Sequence, residues 1–525
     1  MFPHRLSPVL TAARVEAGQT ARVPVRVHSP QPAAAAIVPE TASGRDGSSV
    51  RNRGFGSDEK WYAERREDPW DRATVAEIQT GKAVGPFEVT NRMVMAISIP
   101  MAFASLSTPL LGIVDTAVVG QFGTAALIGG LAIGSTVFGF VFASFNFLRT
   151  GTSGLVAQAF GQDDMGEQQA VFRRAIVIAL ALGLLLIAAS RLIEGAGLLF
   201  MRPSLDVAEA MSTYLSIRLL SSPMALVNFA VLGVLLGQGR AMLGLSLQFL
   251  LNGINMAMSI WLGLALEWGL AGVAWGTVIA EGVPAAAGMV VVTASFRRSP
   301  PPNIRSILDR AALGRLVSIN RDIMIRSFLL LTAFAFFTRT GAQLGPVALA
   351  ANAILFKFFM IASFFSDGFT TAAEHICGRA IGAKYPPAFH RGVRLTLVWS
   401  MALAVALALT FFLMGGSLIA IMTNAPDVRA EALAYLPWAA LTAVSGFLAF
   451  QLDGVYIGAT WSRDMRNTMA LALVSYLVIL FAVLPILGNH GLWLAFNIFL
   501  LTRGLSMLAV LPHRTRTTFS EAVLR

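Results

Sequence analysis

Residues 93–119 read MVMAISIPMAFASLSTPLLGIVDTAVV, in which Asp115 is the one charged side chain. As a helix this run would extend about 40 Å, enough to cross the roughly 30 Å hydrocarbon layer of a bilayer. Eleven further apolar blocks follow, at about 124–148, 172–190, 208–236, 241–265, 270–295, 323–343, 347–372, 393–421, 432–458, 466–487 and 491–512. Twelve blocks share the 420 residues from Met93 to Pro512, which leaves about 35 residues per helix plus loop. No extramembrane domain fits between them. The sequence therefore predicts an all-α polytopic membrane protein of twelve transmembrane helices whose function lies within the bilayer.

Composition points the same way. Of 525 residues, 55% are hydrophobic and 13% charged, against about 25% charged in a soluble chain. A soluble globular enzyme is excluded. The net charge of +11 would suggest nucleic acid in a soluble protein, but in a membrane protein it reflects basic loops on one face. Cys377 is the single cysteine, so neither an internal disulfide nor a cysteine-based metal cluster is available.

Residues 1–92 hold 13 basic and 11 acidic residues and no long apolar run. Residues 1–85 accordingly read as a disordered cytoplasmic tail with no secretory signal. With that tail inside, 21 Lys plus Arg fall on the inner face. Arg191, Arg202, Arg218, Arg339 and Arg429 lie at or near the outer one. Both termini are thus expected in the cytoplasm. The richest inner loop, Arg297 to Arg326, carries seven arginines and the run Ser299-Pro300-Pro301-Pro302 between blocks six and seven. It divides the chain into an N lobe (86–298), a linker (299–318) and a C lobe with a short tail (319–525).

The halves are weakly self-similar. Gly123-Thr-Ala-Ala-Leu127 resembles Gly345-Pro-Val-Ala-Leu349, and Gln158-Ala-Phe-Gly161 resembles Arg379-Ala-Ile-Gly382. Six helices is an even number, so the two repeats share one topology and are related by a pseudo-two-fold axis along the membrane normal. A solute would pass through a cleft between or within the lobes.

No GxxxxGK[ST], HExxH or strand-borne GxSxG occurs, so no catalytic residue, resident metal or cofactor is expected. What remains are ionisable groups inside apolar spans, each costly at mid-bilayer and hence a functional candidate. Asp115 lies in the outer half of span one, beside Pro109 and Gly112, where it can take up a proton or bind a cation. In the second half, Lys357 and Asp367 could pair or line a cleft, and Asp453 could pair with Lys357. Glu374 and His375, close to Gly378 and Arg379, read as a solvated inner helix end. Met256 is one of several methionines suited to adaptable contact with flat apolar molecules.

Longer stretches carry a resemblance. PLLGIVDTAVVGQFG (109–123), FLRTGTSGLVAQAFG (147–161), SINRDIMIRS (318–327), DGF (367–369) and GNHGLWLAFNIFL (488–500) resemble the multidrug and toxic compound extrusion (MATE) family, most closely its DinF branch. That resemblance implies two six-helix lobes and cation-coupled export of organic, often cationic, amphipathic compounds. The family's span-one aspartate falls on Asp115 and its span-six threonine on Thr277. In span five its Asn falls on Asn255, and Ser259 stands where an Asp is frequent. One carboxylate suffices for a proton, whereas sodium favours several oxygen ligands. Proton coupling is therefore preferred, with sodium the other candidate ion.

The expected function is a secondary antiporter of the bacterial inner membrane, monomeric, with small organic substrates and the lipid bilayer as partners and no nucleic acid. The competing readings are a flippase for lipid-linked oligosaccharide and, more remotely, an intramembrane enzyme using Glu374 and His375.

Overall fold

A computed structural model describes residues 86–121, 125–297 and 309–524. The tail, the Gly123 end of one repeat motif and the proline run of the linker lie outside the described residues. Among those described, eleven helices are long and apolar enough to cross a membrane, and one bent pair supplies a twelfth span. Spans one to six are Asn91–Gly120, Ala126–Gly161, Met165–Ala188, the bent pair Leu205–Leu219 and Ser222–Gly237, Ala241–Ala265, and Gly269–Ser295. Spans seven to twelve are Arg310–Gln343, Pro346–Gly382, Pro386–Met422, Pro426–Gly458, Ser462–Leu487 and Asn489–Ser520. The order is that expected from the apolar blocks.

Local chemistry sets the ends. The Thr90 hydroxyl accepts from Met93 N at 3.2 Å to cap span one, and Asp164 caps span three by accepting from Glu167 N at 2.8 Å. Spans eight, nine and ten begin with proline, whose missing N–H is one that a first turn leaves unbonded anyway. Span four bends by 52° where its two helices meet at residues 220–221, with Pro223 opening the second helix.

Several helices run past the apolar blocks on the face where span one begins, hereafter the N-terminal face. Span two continues through Gly161 instead of stopping near residue 148, and Phe147–Gly161 is mostly buried. Span seven starts at Arg310, so 310–318 is helix and not linker. Span twelve extends helically to Leu524. The polar residues of the span-two extension, among them Thr150, Thr152, Ser153 and Gln158, are buried against protein, whereas Arg310, Arg315 and Arg516 of the other two extensions are exposed.

The halves share one register. Gly233 and Gly237 lie against the carbonyls of Arg149 and Ser153, joining span four to span two. Gly454 and Gly458 lie against those of Thr370 and Glu374, joining span ten to span eight. Each second-half number exceeds its counterpart by 221, as 454 does 233 and 374 does 153. The same offset relates the left-handed turns at Asp163 (φ 56) and Lys384 (φ 52), and at Gly239 (φ 71) and Thr460 (φ 58).

One apolar core fills the first lobe around Phe142, Leu215 and Val231. Another fills the second around Phe337, Trp493 and Phe496. A third joins the lobes, drawing Ile97 and Met101 of span one together with Ala373, Ile376 and Leu452 of spans eight and ten. Its residues cluster toward the N-terminal face. There Ser98 O meets Gly368, Ile457 O meets Gly154, and Gln158 Nε2 donates to Gly458 O at 2.9 Å.

Candidate functional site

Spans one and five run parallel, and two hydrogen bonds tie them. Asn252 Nδ2 donates to Ser107 Oγ at 2.7 Å, and Ser259 Oγ donates to Asp115 Oδ1 at 2.8 Å. Asp115 is 8% exposed, while Asn255 and Ser259 are fully buried. Ser259 Oγ also lies 3.1 Å from Asn255 Oδ1. One hydroxyl proton cannot serve both acceptors. Turning the Asn255 amide over would let Nδ2 donate to Ser259 while Ser259 donates to Asp115. Either way one buried amide atom of Asn255 is left without a protein partner among the described residues.

Ser259 stands where the helix changes pitch. Residues Ser259–Ala265 form a π-helix, a wider turn common at functional positions. Close packing by span six fixes it, since a Cβ at Gly276 would lie 2.9 Å from Ser259 N. Thr277, one residue on, is buried but gives its hydroxyl to Val273 O of its own helix at 3.0 Å. It is not among the hydrogen-bond partners of Asp115.

Two further charges that sequence reading missed lie in the same lobe. Arg218, expected near the outer surface, is buried. Its guanidinium stacks 3.9 Å from the Phe138 ring centre, bonds Ser221 and pairs with Glu281 at 3.3 Å. Glu281 also accepts from Asn228 Nδ2 at 2.8 Å. Arg218 is near enough for its charge to be felt at Asp115, while its own ion-pair partner is Glu281. Glu281 was visible as a lone acid in the middle of span six; Arg218 was disguised by the helix break that follows it.

In the second lobe the expected pairing of Asp453 with Lys357 does not occur. Asp453 is gripped by Arg326 of span seven and Arg503 of span twelve, and Lys357 points to the exposed side of span eight. Asp367 accepts from Ser105 Oγ of span one at 3.3 Å instead of pairing with Lys357. Met256 is half-buried on span five. Glu374 and His375 are not a solvated helix end: they are 2% and 3% exposed. The His375 ring lies 2.9 Å from Gly237 O, across the contact between the lobes. The first lobe thus gathers Asp115, Asn255 and Ser259 into one site, whereas the second-lobe candidates are dispersed and mostly engaged.

The chain and its fold have known relatives. The MatE family model matches residues 100–261 and again 323–486, once per half. The chain is 35% identical over 421 residues to DNA damage-inducible protein F of Escherichia coli (strain K12), covering 79% of this chain and 90% of that protein. It is 25% identical to a probable multidrug resistance protein NorM of Bradyrhizobium diazoefficiens, covering 77% and 89%. It is 24% identical to the chloroplastic Protein DETOXIFICATION 44 of Arabidopsis thaliana, covering 78% and 80%. A crystal structure of MATE in the bent conformation aligns with a TM-score of 0.76 at 16% identity over 82% of this chain and 97% of that one. An outward-facing MATE multidrug resistance transporter aligns at 0.71 and 16%, over 83% and 97%. A twice-matched family model, a 35% identical relative and a shared two-lobe fold place the chain in the MatE family of multi-pass membrane multidrug efflux transporters, not among enzymes.

Proposed function

We propose that this transporter is a proton-coupled antiporter exporting organic, cationic amphipathic compounds, with Asp115 as the group that exchanges proton for solute. The observation that carries this reading is the Asp115–Ser259 hydrogen bond at 2.8 Å. It belongs to a buried site that holds a single unpaired carboxylate. One carboxylate, one hydroxyl and one amide satisfy a proton but offer a sodium ion few oxygens and little charge. A lone carboxylate can hold a proton or face an organic cation, not both, and that competition is the coupling.

The lobes are packed together on the N-terminal face, so the half of span one that carries Asp115 is reached from the opposite side. With the basic N-terminal face toward the cytoplasm of a bacterial inner membrane, this is the outward-facing state of a monomer with both termini inside. Its lobes then rock to expose the site to the other side. Transport in proteoliposomes with proton and sodium gradients imposed separately tests the reading. Drug uptake driven by a proton gradient without sodium is expected. Uptake driven by sodium alone would overturn it.

A further inference from the structure

Away from Asp115, the N-terminal face carries a concave pocket of about 630 Å³ between the start of span seven, the turn joining spans ten and eleven, and the end of span twelve. Five arginines line it, Arg315, Arg321, Arg463, Arg466 and Arg514, against Asp322 and Asp464. Both aspartates are already engaged. Asp322 is buried, takes Arg466 at 2.8 Å, and meets Arg321 at 3.4 Å through the same oxygen. Asp464 takes Arg514 at 2.7 Å.

Three positive charges are therefore in excess. Arg463 is exposed and has no ion-pair partner among the described residues. The Arg321 side chain is 58% exposed and shares an oxygen that Arg466 holds more closely. Span eleven begins in the pocket wall at Ser462, which adds the positive end of a helix dipole. The Ser318 hydroxyl lines the same space. Planar guanidinium forks, a hydroxyl and a helix start in a concave site suit a tetrahedral oxyanion. Basic pockets between membrane helices at the cytoplasmic surface also favour phosphate headgroups.

We infer that this pocket binds a phosphate-bearing anion, a function separate from the Asp115 site and independent of which ion drives transport. The ligand is either the headgroup of an anionic phospholipid or a soluble phosphate compound. Arg315 donates to Gln158 Oε1 at 3.0 Å and to Thr460 Oγ1 at 3.3 Å, so substituting it would disturb lobe packing. Arg321 and Arg463 are the residues to change.

The test uses the full chain in nanodiscs of phosphatidylcholine, with inorganic pyrophosphate titrated calorimetrically, and native mass spectrometry of phosphatidylglycerol retained from mixed-lipid micelles. At least one probe should bind the wild type. That binding should fall about tenfold or more in the double variant Arg321→Glu, Arg463→Glu and stay unchanged in Arg191→Glu, an exposed control remote from the pocket. Loss of pyrophosphate binding when phosphatidylglycerol is added to the disc, with retention of that lipid, assigns the headgroup. Pyrophosphate binding indifferent to it assigns a soluble ligand. Failure of both probes to bind, or an equal loss in Arg191→Glu, overturns the inference. Should the double variant unfold, Arg463→Gln alters only an unpaired exposed side chain and keeps the test open.

Discussion

Gly161 and Gly382 meet reciprocally across the lobes: Gly161 lies against the carbonyl of Arg379, and Gly382 lies against that of Gln158. Each glycine and its opposite carbonyl are related to the other pair by the 221-residue offset. The pseudo-two-fold axis therefore passes between these two helix ends, where backbone touches backbone. At this contact no side chains interdigitate, which suits a closure that has to open during transport.

A side chain at either position should hold the lobes apart. Overpacking costs about 1 to 3 kcal/mol, which is a shift of roughly 5- to 150-fold between states. Cys377 reports it, being the single cysteine and fully buried beside Gly378, which packs on Ala157 of span two. Gly382→Val should raise the maleimide labelling rate of Cys377 severalfold or more over the wild type. Equal labelling would show that this contact does not close the N-terminal face.

Thr460 holds a left-handed φ of 58 where the first repeat has Gly239. A β-branched residue is strained there by about 1 to 2 kcal/mol. Its hydroxyl accepts from Gln158 Nε2 of the first lobe at 3.2 Å and from Arg315 of span seven at 3.3 Å, so one of the two bonds that hold the strain crosses between the lobes. Thr460→Gly should relieve the turn but lose those bonds. Thermal unfolding is expected to change by less than about 1 kcal/mol, while Cys377 labelling accelerates. A large loss of stability with unchanged labelling would contradict this division.

Arg218 and Glu281 pair at 3.3 Å behind Asp115. Glu281→Ala leaves a buried guanidinium unpaired and should cost about 3 to 5 kcal/mol, read by thermal unfolding. It also frees the field of Arg218 to act on Asp115, so drug-driven proton flux should fall. Arg218→Met with Glu281→Leu removes both charges and should recover most of the stability and the flux. If the double variant stays as unstable as the single one, the pair is not what Glu281 serves.

Hydropathy made the twelve spans legible, because blocks of about twenty apolar residues leave little alternative. The repeat was legible at Gly161 and Gly382, whose surroundings are alike in both halves. The pairing of Asp115 with Ser259 was reachable only through resemblance, since apolar periodicity does not say which helices pack together. Arg218 and Arg326 were assigned to a face and a loop because window averages count a charge without its partner. Their counter-ions, Glu281 and Asp453, sit on other helices, and which arginine reaches them is a fact of tertiary packing. Glu374 and His375 read as solvated for the same reason: what buries them is the other lobe.

Asp115→Asn preserves shape and removes the capacity to change charge. Coupling free energies between linked ligands are typically about 1 to 3 kcal/mol, and this change removes the exchange entirely. The variant should insert and melt like the wild type, yet show no drug-driven proton flux in vesicles loaded with a pH-sensitive dye. Flux at the wild-type rate would move the exchanging group elsewhere, with Asp367 the first candidate, since it joins spans one and eight through Ser105.

Ser259→Asp asks what the missing carboxylate does. The Ser259 hydroxyl lies 2.8 Å from Asp115 Oδ1 and 3.1 Å from Asn255 Oδ1, so a carboxylate there would face Asp115 directly. Two such groups in a low-dielectric site cannot both be charged unless a cation or a proton sits between them. With Asn255 they supply enough oxygen and charge to hold sodium. The wild type should therefore transport on a proton gradient and ignore sodium, whereas Ser259→Asp should respond to sodium, as an increase in thermal stability or as sodium-dependent drug flux. Ser259→Ala removes the hydrogen bond to Asp115 and should weaken proton-driven transport without creating any sodium response. A Ser259→Asp protein that remains folded and indifferent to sodium would show that carboxylate count does not select the ion. Backbone oxygens freed by Pro109 and by the π-turn would then be the next place to look.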